Sequence, residues 1–295
     1  MKSSLNLSAA IKAAATHEPV ILSLAELASA FDNANPTAAI GARLKKWLDA
    51  FGPLSAWSIT TEQIHAAAEA MINAGYKAST VNRDVSALGS LYKWARHKRY
   101  TPRGFLSPTV AIVRYPEAIR HVEVTAAELD ALRLAAKLDG DRRFQVYVNL
   151  LIDTGARTGE LLDRRWSDID LDRRRILLRT SKTGKPRFLF YTEATGTLLE
   201  ALKQAPDHLV FAGRHGGPTD YVKRWDKAIK AICRPDLRMN DLRHAAAASL
   251  LRSGVTIGVA AQVLGHSSLI LQRRYGHLET DALQAAQEQR WGAAA

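Results

Sequence analysis

The chain has 295 residues, a length that corresponds to one large domain or two ordinary ones. Of these residues 47% are hydrophobic and 24% charged, which is typical of a globular protein. Its single cysteine, Cys233, excludes a disulfide framework and a cysteine-based zinc finger, and no run of 18 apolar residues is present that would span a bilayer. Lysine and arginine number 41 against 29 aspartates and glutamates, and this net charge of +12 favours nucleic acid over a membrane surface as the partner.

The first half of the chain is predicted to be helical throughout. Residues 1–32 are weakly patterned, as a helix or a linker, and we assign them no role. Thr60 and Gln63 have the spacing of a capping box, so we expect a helix to begin there and to end at Gly75.

Basic side chains lie on two other predicted helices of this half. One helix covers residues 40–50, and another begins at Ser79 with apolar residues at helical spacing on one face. The polar face of such a helix either contacts DNA or is simply solvated, and both interpretations stay open. The residues proposed as DNA contacts are Arg43 and Lys45 on the first of these helices and Asn82, Arg83 and Lys93 on the second.

A break in helix periodicity separates the two halves. Three prolines and one glycine lie between residues 101 and 123, so we place a domain boundary there. This gives an N-terminal segment of residues 1–32, a helical domain of residues 33–116 and a second domain of residues 117–295. Basic residues outnumber acidic ones by 13 to 8 up to residue 118 and by 28 to 21 beyond it, so the partner is expected to touch both domains, as in a clamp.

The second half is predicted to mix helices with one small sheet. A capping box at Thr125 and Glu128 begins a helix, and residues 144–152 are apolar nearly all round, as in a buried helix. Two strands are predicted at residues 175–180 and 187–191, joined by a turn. The fold class is therefore mainly α with a small β-sheet, and the remaining helices are predicted at residues 192–204, 219–233, 241–253, 256–264 and 268–275.

Several polar motifs interrupt these elements, and each one alone has an ordinary explanation. Arg157, in the stretch TGARTGELL, would be a structural ion-pair partner of Glu160 or Asp163. The stretch LGHSS at residues 264–268 would end one helix and begin the next, and Tyr275 would be a core tyrosine. Their order along the chain is harder to explain by structural roles alone.

The second half resembles the catalytic domain of the tyrosine recombinases, the phage integrase family. The resemblance rests on TGARTGELL, the lysine turn SKTGKPR, DLRH, LGHSS and a tyrosine nine residues after His266, and it extends over residues 128–277. The first half resembles the family's helical core-binding domain, most closely in KASTVNRDVSALGSLYKWA. The resemblance implies a site-specific DNA recombinase or integrase that cleaves and rejoins DNA strands through a 3′-phosphotyrosine intermediate.

The chemistry that the resemblance implies fits the residue types. Guanidinium groups stay charged and present planar donors, so Arg157 and Arg243 suit the charge that develops on the non-bridging phosphate oxygens. Tyr275 is the expected nucleophile, and because the ordinary pKa of a phenol is about 10, nearby positive charge must help it to ionise. His266 is expected to donate to the scissile phosphate and could also accept a proton, and Glu160 is expected to orient an arginine or a histidine.

Two lysines lie on the turn between the predicted strands. Lys182 matches the family's first lysine and is expected to protonate the departing 5′ oxygen, with Lys185 as a phosphate contact. Where the family usually has a histidine three residues before the second arginine, this chain has Asn240. An amide cannot relay a proton at neutral pH, so we expect slower cleavage rather than none. His244 is not expected to substitute, because it lies on the other side of Arg243 and corresponds to a histidine that the family also has at that position.

Other functions find less support in the sequence. Asp168, Asp170 and Asp172 alternate as in a calcium loop, but arginines stand where that loop needs glycine and glutamate, so we predict a turn. No zinc-protease, P-loop or serine-hydrolase motif occurs, and neither a metal nor another cofactor is expected. The alternatives kept open are a helix-turn-helix regulator without catalysis, formed by residues 256–275, and a lapsed recombinase that only binds DNA.

The resemblance also implies partners and a location. Double-stranded DNA is the expected partner, on which the working assembly would be a homotetramer, with accessory DNA-bending proteins as further partners. The tail, residues 276–295, would be either exchanged in trans with a neighbouring protomer or packed on its own. We expect a bacterial or phage-encoded protein in the cytoplasm, associated with the nucleoid and not with a membrane.

Overall fold

The computed structural model describes residues 21–36, 40–117, 120, 122–179, 186–213, 216–265, 267–269, 271–273 and 275. The chain divides between Ile119 and Arg120 into two compact units. Each unit has its own hydrophobic core. In the described part of the chain, no helix is both long enough and apolar enough to cross a membrane.

The first unit is helical and buries one apolar face of each helix. Its apolar residues meet in a core that includes Leu27, Trp47 and Leu88. The predicted capping box is present, since the Thr60 hydroxyl accepts a hydrogen bond from the Gln63 amide and the Gln63 side chain accepts one from the Thr60 amide. The helices of this unit, α1 to α4, lie at Leu24–Ala34, Gly41–Phe51, Thr61–Asn73 and Ala78–His97.

Helix α1 lies largely within residues 1–32, for which the sequence left a helix or a linker open. A further capping box, formed by Ser23 and Glu26, begins this helix, and Leu24, Leu27 and Phe31 bury one of its faces in the core. These apolar residues recur at helical spacing, but the alanines and serines between them weaken the pattern. The helical unit therefore begins before residue 33.

The second unit is mainly helical and includes a small sheet. The capping box predicted at Thr125 and Glu128 is present at the start of α5, and α6 is buried on nearly every side. Of the helix predicted at residues 268–275, the described residues are helical. The helices of this unit, α5 to α11, lie at Ala126–Leu138, Arg142–Thr154, Thr158–Leu162, Glu193–Glu200, Val222–Ala231, Met239–Arg252 and Ile257–Leu264.

The sheet is antiparallel, in the order β1 (Ile169–Asp170), β2 (Arg175–Leu178) and β3 (Arg187–Phe190). Strands β2 and β3 lie where strands were predicted, with Ile176 paired to Leu189. Strand β1 is absent from the prediction, because the aspartates around it favour a turn and two residues are too few for an alternating pattern. Asp168, just before β1, is buried and pairs with Arg179 at 2.9 Å and with Arg164 at 3.5 Å.

A smaller apolar cluster joins α10 and α11 to the end of the described chain. Leu251, Leu264 and Leu271 belong to this cluster, and Tyr275 packs against it. Helix α11 also contacts strand β3. Elements that are far apart in the sequence therefore come together at the end of α11.

Candidate active site

Three arginines from separate elements converge on the carboxylate of Glu160. Arg157 lies at the N-terminus of α7, Arg187 on β3 and Arg243 in α10. The carboxylate accepts hydrogen bonds from the Arg157 side chain at 2.8 Å, from the Arg157 amide at 2.9 Å and from Arg187 at 2.8 Å. The Arg243 guanidinium lies 4.0 Å from the same carboxylate. The ordinary ion pair of Arg157 with Glu160 is therefore part of a larger charged cluster.

The same three guanidinium groups also bind the C-terminal end of helix α11. A helix leaves its last carbonyl groups without intrahelical partners, and these groups carry partial negative charge. Consecutive carbonyls at this end each accept a hydrogen bond from a different arginine: Val263 from Arg187, Leu264 from Arg243 and Gly265 from Arg157. The stretch LGHSS therefore does more than separate two helices, because its first residues orient the arginines.

Two glycines allow this close approach. Gly265 ends α11 with a φ of 64°, and a Cβ atom there would lie 2.8 Å from the guanidinium of Arg187. Gly155 ends α6 with a φ of 59°, and a Cβ atom there would lie 2.7 Å from the side chain of Leu264. The Gly155 carbonyl accepts a hydrogen bond from Arg243 at 2.9 Å. A larger residue at either position would separate the elements that carry the arginines.

The burial of the cluster perturbs its titration. Burial lowers the pKa of Arg243 to about 10, with a smaller contribution from the charge of Arg157. Burial also lowers the pKa of Arg187, against the opposing effect of Glu160. Burial alone would raise the pKa of Glu160, but the hydrogen bond from the Arg157 amide and the charge of Arg187 outweigh it and hold the pKa below its ordinary value. Glu160 and Arg243 are therefore both charged at neutral pH.

An open cavity of about 600 Å³ lies beside the cluster. Arg157 and Arg243 line it together with Asn240 and His244. The Arg157 side chain is 34% exposed and the Arg243 side chain 6%, so Arg157 is the more accessible of the two. Guanidinium groups beside open space are suited to bind the oxygens of a phosphate. Within the described ranges, no three His, Cys, Asp or Glu side chains cluster as metal ligands would.

The hydroxyl of Tyr275 meets helix α10 next to Arg243. Its oxygen lies 2.9 Å from Nδ1 of His244 and 3.4 Å from the carbonyl oxygen of the same residue. His244 lines the cavity together with the two arginines, so the phenol contacts a residue of the cavity lining. Asn240 is exposed one helical turn before His244.

Four of the five predicted catalytic residues that the structure describes line this cavity: Arg157, Glu160, Asn240 and Arg243. The fifth, Tyr275, contacts His244 of the lining. Lys182, Lys185 and His266 fall outside the described residues.

Sequence reasoning missed Arg187 and His244. Arg187 shares a face of strand β3 with Leu189, which is buried, and a charged residue on a buried face needs a partner. The place of Arg187 on the buried face of β3 is therefore the sequence signal by which this residue could be found. The sequence gives His244 no catalytic role because it lies on the other side of Arg243, although residues four apart on a helix share a face and Asn240 is a predicted site residue.

The basic residues proposed as DNA contacts in the first unit lie on exposed positions. Lys45, Arg83 and Lys93 are exposed on α2 and α4. Arg43 is also exposed, and it forms an ion pair with Asp84 at 3.4 Å. These side chains are therefore accessible to a polyanion, with Arg43 already partly neutralised.

Asn82 lies in a different setting. Its amide donates hydrogen bonds to the Tyr115 carbonyl at 2.9 Å and to Glu117 at 2.8 Å, and its side-chain oxygen accepts one from the Tyr115 amide at 3.0 Å. The expectation that Asn82 lies on an exposed face is wrong, because residues 115–117 cover this part of α4 and the side chain is buried.

Comparison with known protein sequences identifies relatives of both units. A family model described as the phage integrase family matches residues 123–281, and one described as the phage integrase N-terminal SAM-like domain matches residues 42–99. Tyrosine recombinase XerA of Saccharolobus solfataricus is 32% identical over 218 residues, which are 70% of this chain and 72% of that protein. Tyrosine recombinase XerC of Mycobacterium bovis is 26% identical over 253 residues, which are 78% of this chain and 83% of that protein.

Solved structures of integrases share the fold. The Tn1549 transposon integrase in complex with circular intermediate DNA matches with a TM-score of 0.66 at 17% identity, over 90% of this chain and 99% of that one. A lambda integrase tetramer bound to a Holliday junction matches with a TM-score of 0.61 at 19% identity, over 90% of this chain and 82% of that one. This likeness establishes the predicted fold class, which is mainly α with a small antiparallel sheet.

These matches decide the class of protein. The integrase family model spans more than half of the chain, and the match with XerA extends over most of that relative. The chain therefore belongs to the phage integrase family, as its motifs predicted. It is a site-specific recombinase, an enzyme that cleaves and rejoins DNA, and no match favours the alternative of a regulator without catalysis.

Proposed function

We propose that the cavity beside Glu160 is the catalytic site, in which an arginine clamp of Arg157 and Arg243 binds the scissile phosphate and Tyr275 is the nucleophile. The observation that carries this proposal is that Arg157 and Arg243 line one cavity together with His244, whose ring contacts the hydroxyl of Tyr275. The two guanidinium groups can each donate hydrogen bonds to a non-bridging oxygen, whose negative charge grows in the transition state. Glu160 and the end of α11 hold the clamp in place before DNA binds, so little reorganisation is needed.

The reaction conserves bond energy in a covalent intermediate. The Tyr275 oxygen attacks phosphorus and the bond to the 5′ oxygen breaks, which gives a 3′-phosphotyrosine and a 5′-hydroxyl. Lys182 is proposed to protonate the departing oxygen and Lys185 to contact phosphate. His266 and Asn240 are proposed to hydrogen-bond to the scissile phosphate. The 5′-hydroxyl of a partner strand then attacks the phosphotyrosine, so each bond broken is replaced by one of similar energy and no ATP is needed.

The proposed substrate is duplex DNA bound by both units, with the helical unit up to Ile119 as a DNA-binding unit and the unit from Arg120 as the catalytic one. The exposed basic residues of α2 and α4 support contact with the first unit. Integrases of this fold have been solved on DNA, as a dimer and as a tetramer. We therefore propose a tetramer on DNA in the cytoplasm, associated with the nucleoid, with residues 276–295 exchanged between protomers and DNA-bending proteins as accessory partners.

A covalent adduct tests the proposal. Sequencing of the DNA fragments that the protein protects in cells would identify its site, and a nicked half-site of that sequence would then be incubated with the protein. We expect a protein–DNA adduct that survives denaturation. Tyr275→Phe should bind the half-site with unchanged affinity and form no adduct. Specific binding without an adduct from the wild-type chain would contradict the proposal and indicate a lapsed recombinase.

A further inference from the structure

When the phenol of Tyr275 attacks phosphorus, its proton must pass to an acceptor, and the amide of Asn240 cannot take it. The imidazole of His244 is in position to do so. Its Nδ1 atom lies 2.9 Å from the hydroxyl oxygen, which is an ordinary hydrogen-bond distance. His244 also follows Arg243 directly in α10 and lines the cavity. The acceptor therefore contacts the nucleophile and lines the same cavity as the arginine clamp.

We propose that His244 is a further catalytic residue, which accepts the proton of Tyr275 during strand cleavage; this inference rests on the proposed function of Tyr275 as the nucleophile. A neutral imidazole that carries its proton on Nε2 presents a lone pair at Nδ1, to which the phenol donates. As the tyrosine oxygen bonds to phosphorus, its proton moves to Nδ1 and the bond to the 5′ oxygen breaks. The imidazolium returns the proton to the tyrosine oxygen when the strands are rejoined.

The charged groups of the cluster are less suited to this task. Arg157 and Arg243 are donors, and a protonated guanidinium accepts no proton. The carboxylate of Glu160 is surrounded by three arginines, whose hydrogen bonds and charge weaken it as a base. The positive charge of the clamp instead favours the phenolate that forms when His244 takes the proton.

This inference changes the consequence of Asn240. Taken alone, an asparagine at residue 240, where the family usually has a histidine, predicts slow cleavage. Asn240 and His244 lie one helical turn apart on α10 and both line the cavity. With His244 as the proton acceptor, cleavage does not require a histidine at residue 240.

Two substitutions separate proton transfer from hydrogen bonding. His244→Asn keeps a side-chain amide near the position of Nδ1 but cannot take up a proton, whereas His244→Ala removes the contact. We expect both variants to bind the nicked half-site with unchanged affinity and to form the adduct about 10²–10⁴-fold more slowly than wild type in a single turnover. Added imidazole should accelerate adduct formation by His244→Ala but not by His244→Asn, because only the alanine side chain leaves room for an imidazole molecule. His244→Asn alone decides the matter if His244→Ala does not fold.

A half-site with sulfur in place of the bridging 5′ oxygen identifies the impaired step. Sulfur departs without a proton, so this substrate relieves a defect in protonating the leaving group but not a defect in deprotonating the nucleophile. We expect both variants to stay slow on it. Cleavage by His244→Asn at the wild-type rate, or recovery of both variants on the sulfur substrate, would overturn the inference. Adduct formation by wild type and its loss in Tyr275→Phe report on the proposed function separately.

Discussion

Arg243 is nearly buried, yet under the proposed function it presents a full charge to the scissile phosphate. Burial disfavours the charged form and lowers its pKa to about 10, which still leaves the guanidinium protonated at neutral pH. The Glu160 carboxylate and the carbonyls of Gly155 and Leu264 replace the water that a solvated arginine would have. Glu160 serves Arg157 and Arg187 in the same way, so one carboxylate supports three cations.

Removal of this carboxylate charge should destabilise the protein. Glu160→Gln is expected to lower the free energy of unfolding by about 3 kcal/mol at neutral pH, because it leaves buried arginines without a counter-charge. The folded-state pKa of Glu160 is depressed, so its stabilisation is fully present above the ordinary carboxyl pKa of about 4.3 and is lost as the pH falls through the lower folded value. Urea unfolding of the full chain should therefore show a smaller difference in unfolding free energy between wild type and Glu160→Gln at about pH 3.5 than at neutral pH.

The matched control is an exposed glutamate in the same unit. Glu193 forms an ion pair with Arg174 at 3.3 Å, but its side chain is 87% exposed. Glu193→Gln should change the free energy of unfolding by less than about 0.5 kcal/mol, because exposed ion pairs contribute little. A loss in Glu160→Gln as small as that of the control, or one of equal size at both pH values, would contradict the counter-charge role.

Helix α11 positions the site through its end rather than through a side chain. Its C-terminal carbonyls carry a partial negative charge, which complements the guanidinium groups that donate to them. The arginines can donate to these carbonyls only if the helix ends where it does and the chain leaves it without a side chain in the way. Both conditions depend on Gly265.

Gly265→Ala should therefore weaken both the fold and the chemistry. A left-handed conformation costs an L-residue about 1–2 kcal/mol, and the added Cβ would lie 2.8 Å from the Arg187 guanidinium. We expect a loss of at least about 1 kcal/mol in urea unfolding and an adduct that forms at least about 10-fold more slowly, because the clamp arginines shift with the helix end.

Another glycine of the same helix provides the control. Gly258 lies inside α11, and a Cβ atom there would meet only the Thr256 hydroxyl, at 4.0 Å. Gly258→Ala is expected to stabilise the protein by about 0.5–1 kcal/mol, because alanine restricts the unfolded chain more than glycine does. If Gly265→Ala were as stable and as active as wild type, the end of α11 would not be what holds the arginines.

At the scale of the whole molecule, the sequence predicts features with a local signal and misses those without one. The capping boxes at Thr60 and Thr125 lie within four residues each, and the structure confirms both. The fold class and the family follow from motifs that are also local. Arg187 and His244 are different, because they meet Glu160 and Tyr275 across 27 and 31 residues of chain, and no short pattern records such a meeting.

The net charge of +12 makes a prediction for DNA binding by the whole chain. Each phosphate that a cationic side chain neutralises releases a counterion, so affinity falls with salt in proportion to the number of contacts. The double variant Arg83→Gln/Lys93→Gln removes two exposed charges from α4. We expect it to bind duplex DNA more weakly, with the slope of log affinity against log salt reduced by about 2, in titrations between about 50 and 200 mM salt.

Asn82 is the control on the same helix, because it is polar and adjacent but buried. Asn82→Ala removes hydrogen bonds that hold Tyr115 and Glu117 against α4, so it should lower the melting temperature. Because asparagine carries no charge, Asn82→Ala should leave the salt dependence of DNA binding at the wild-type value. If the double variant also kept the wild-type slope, the exposed face of α4 would be an ordinary solvated surface, and the DNA contacts of the first unit would have to lie on other basic residues such as Lys45.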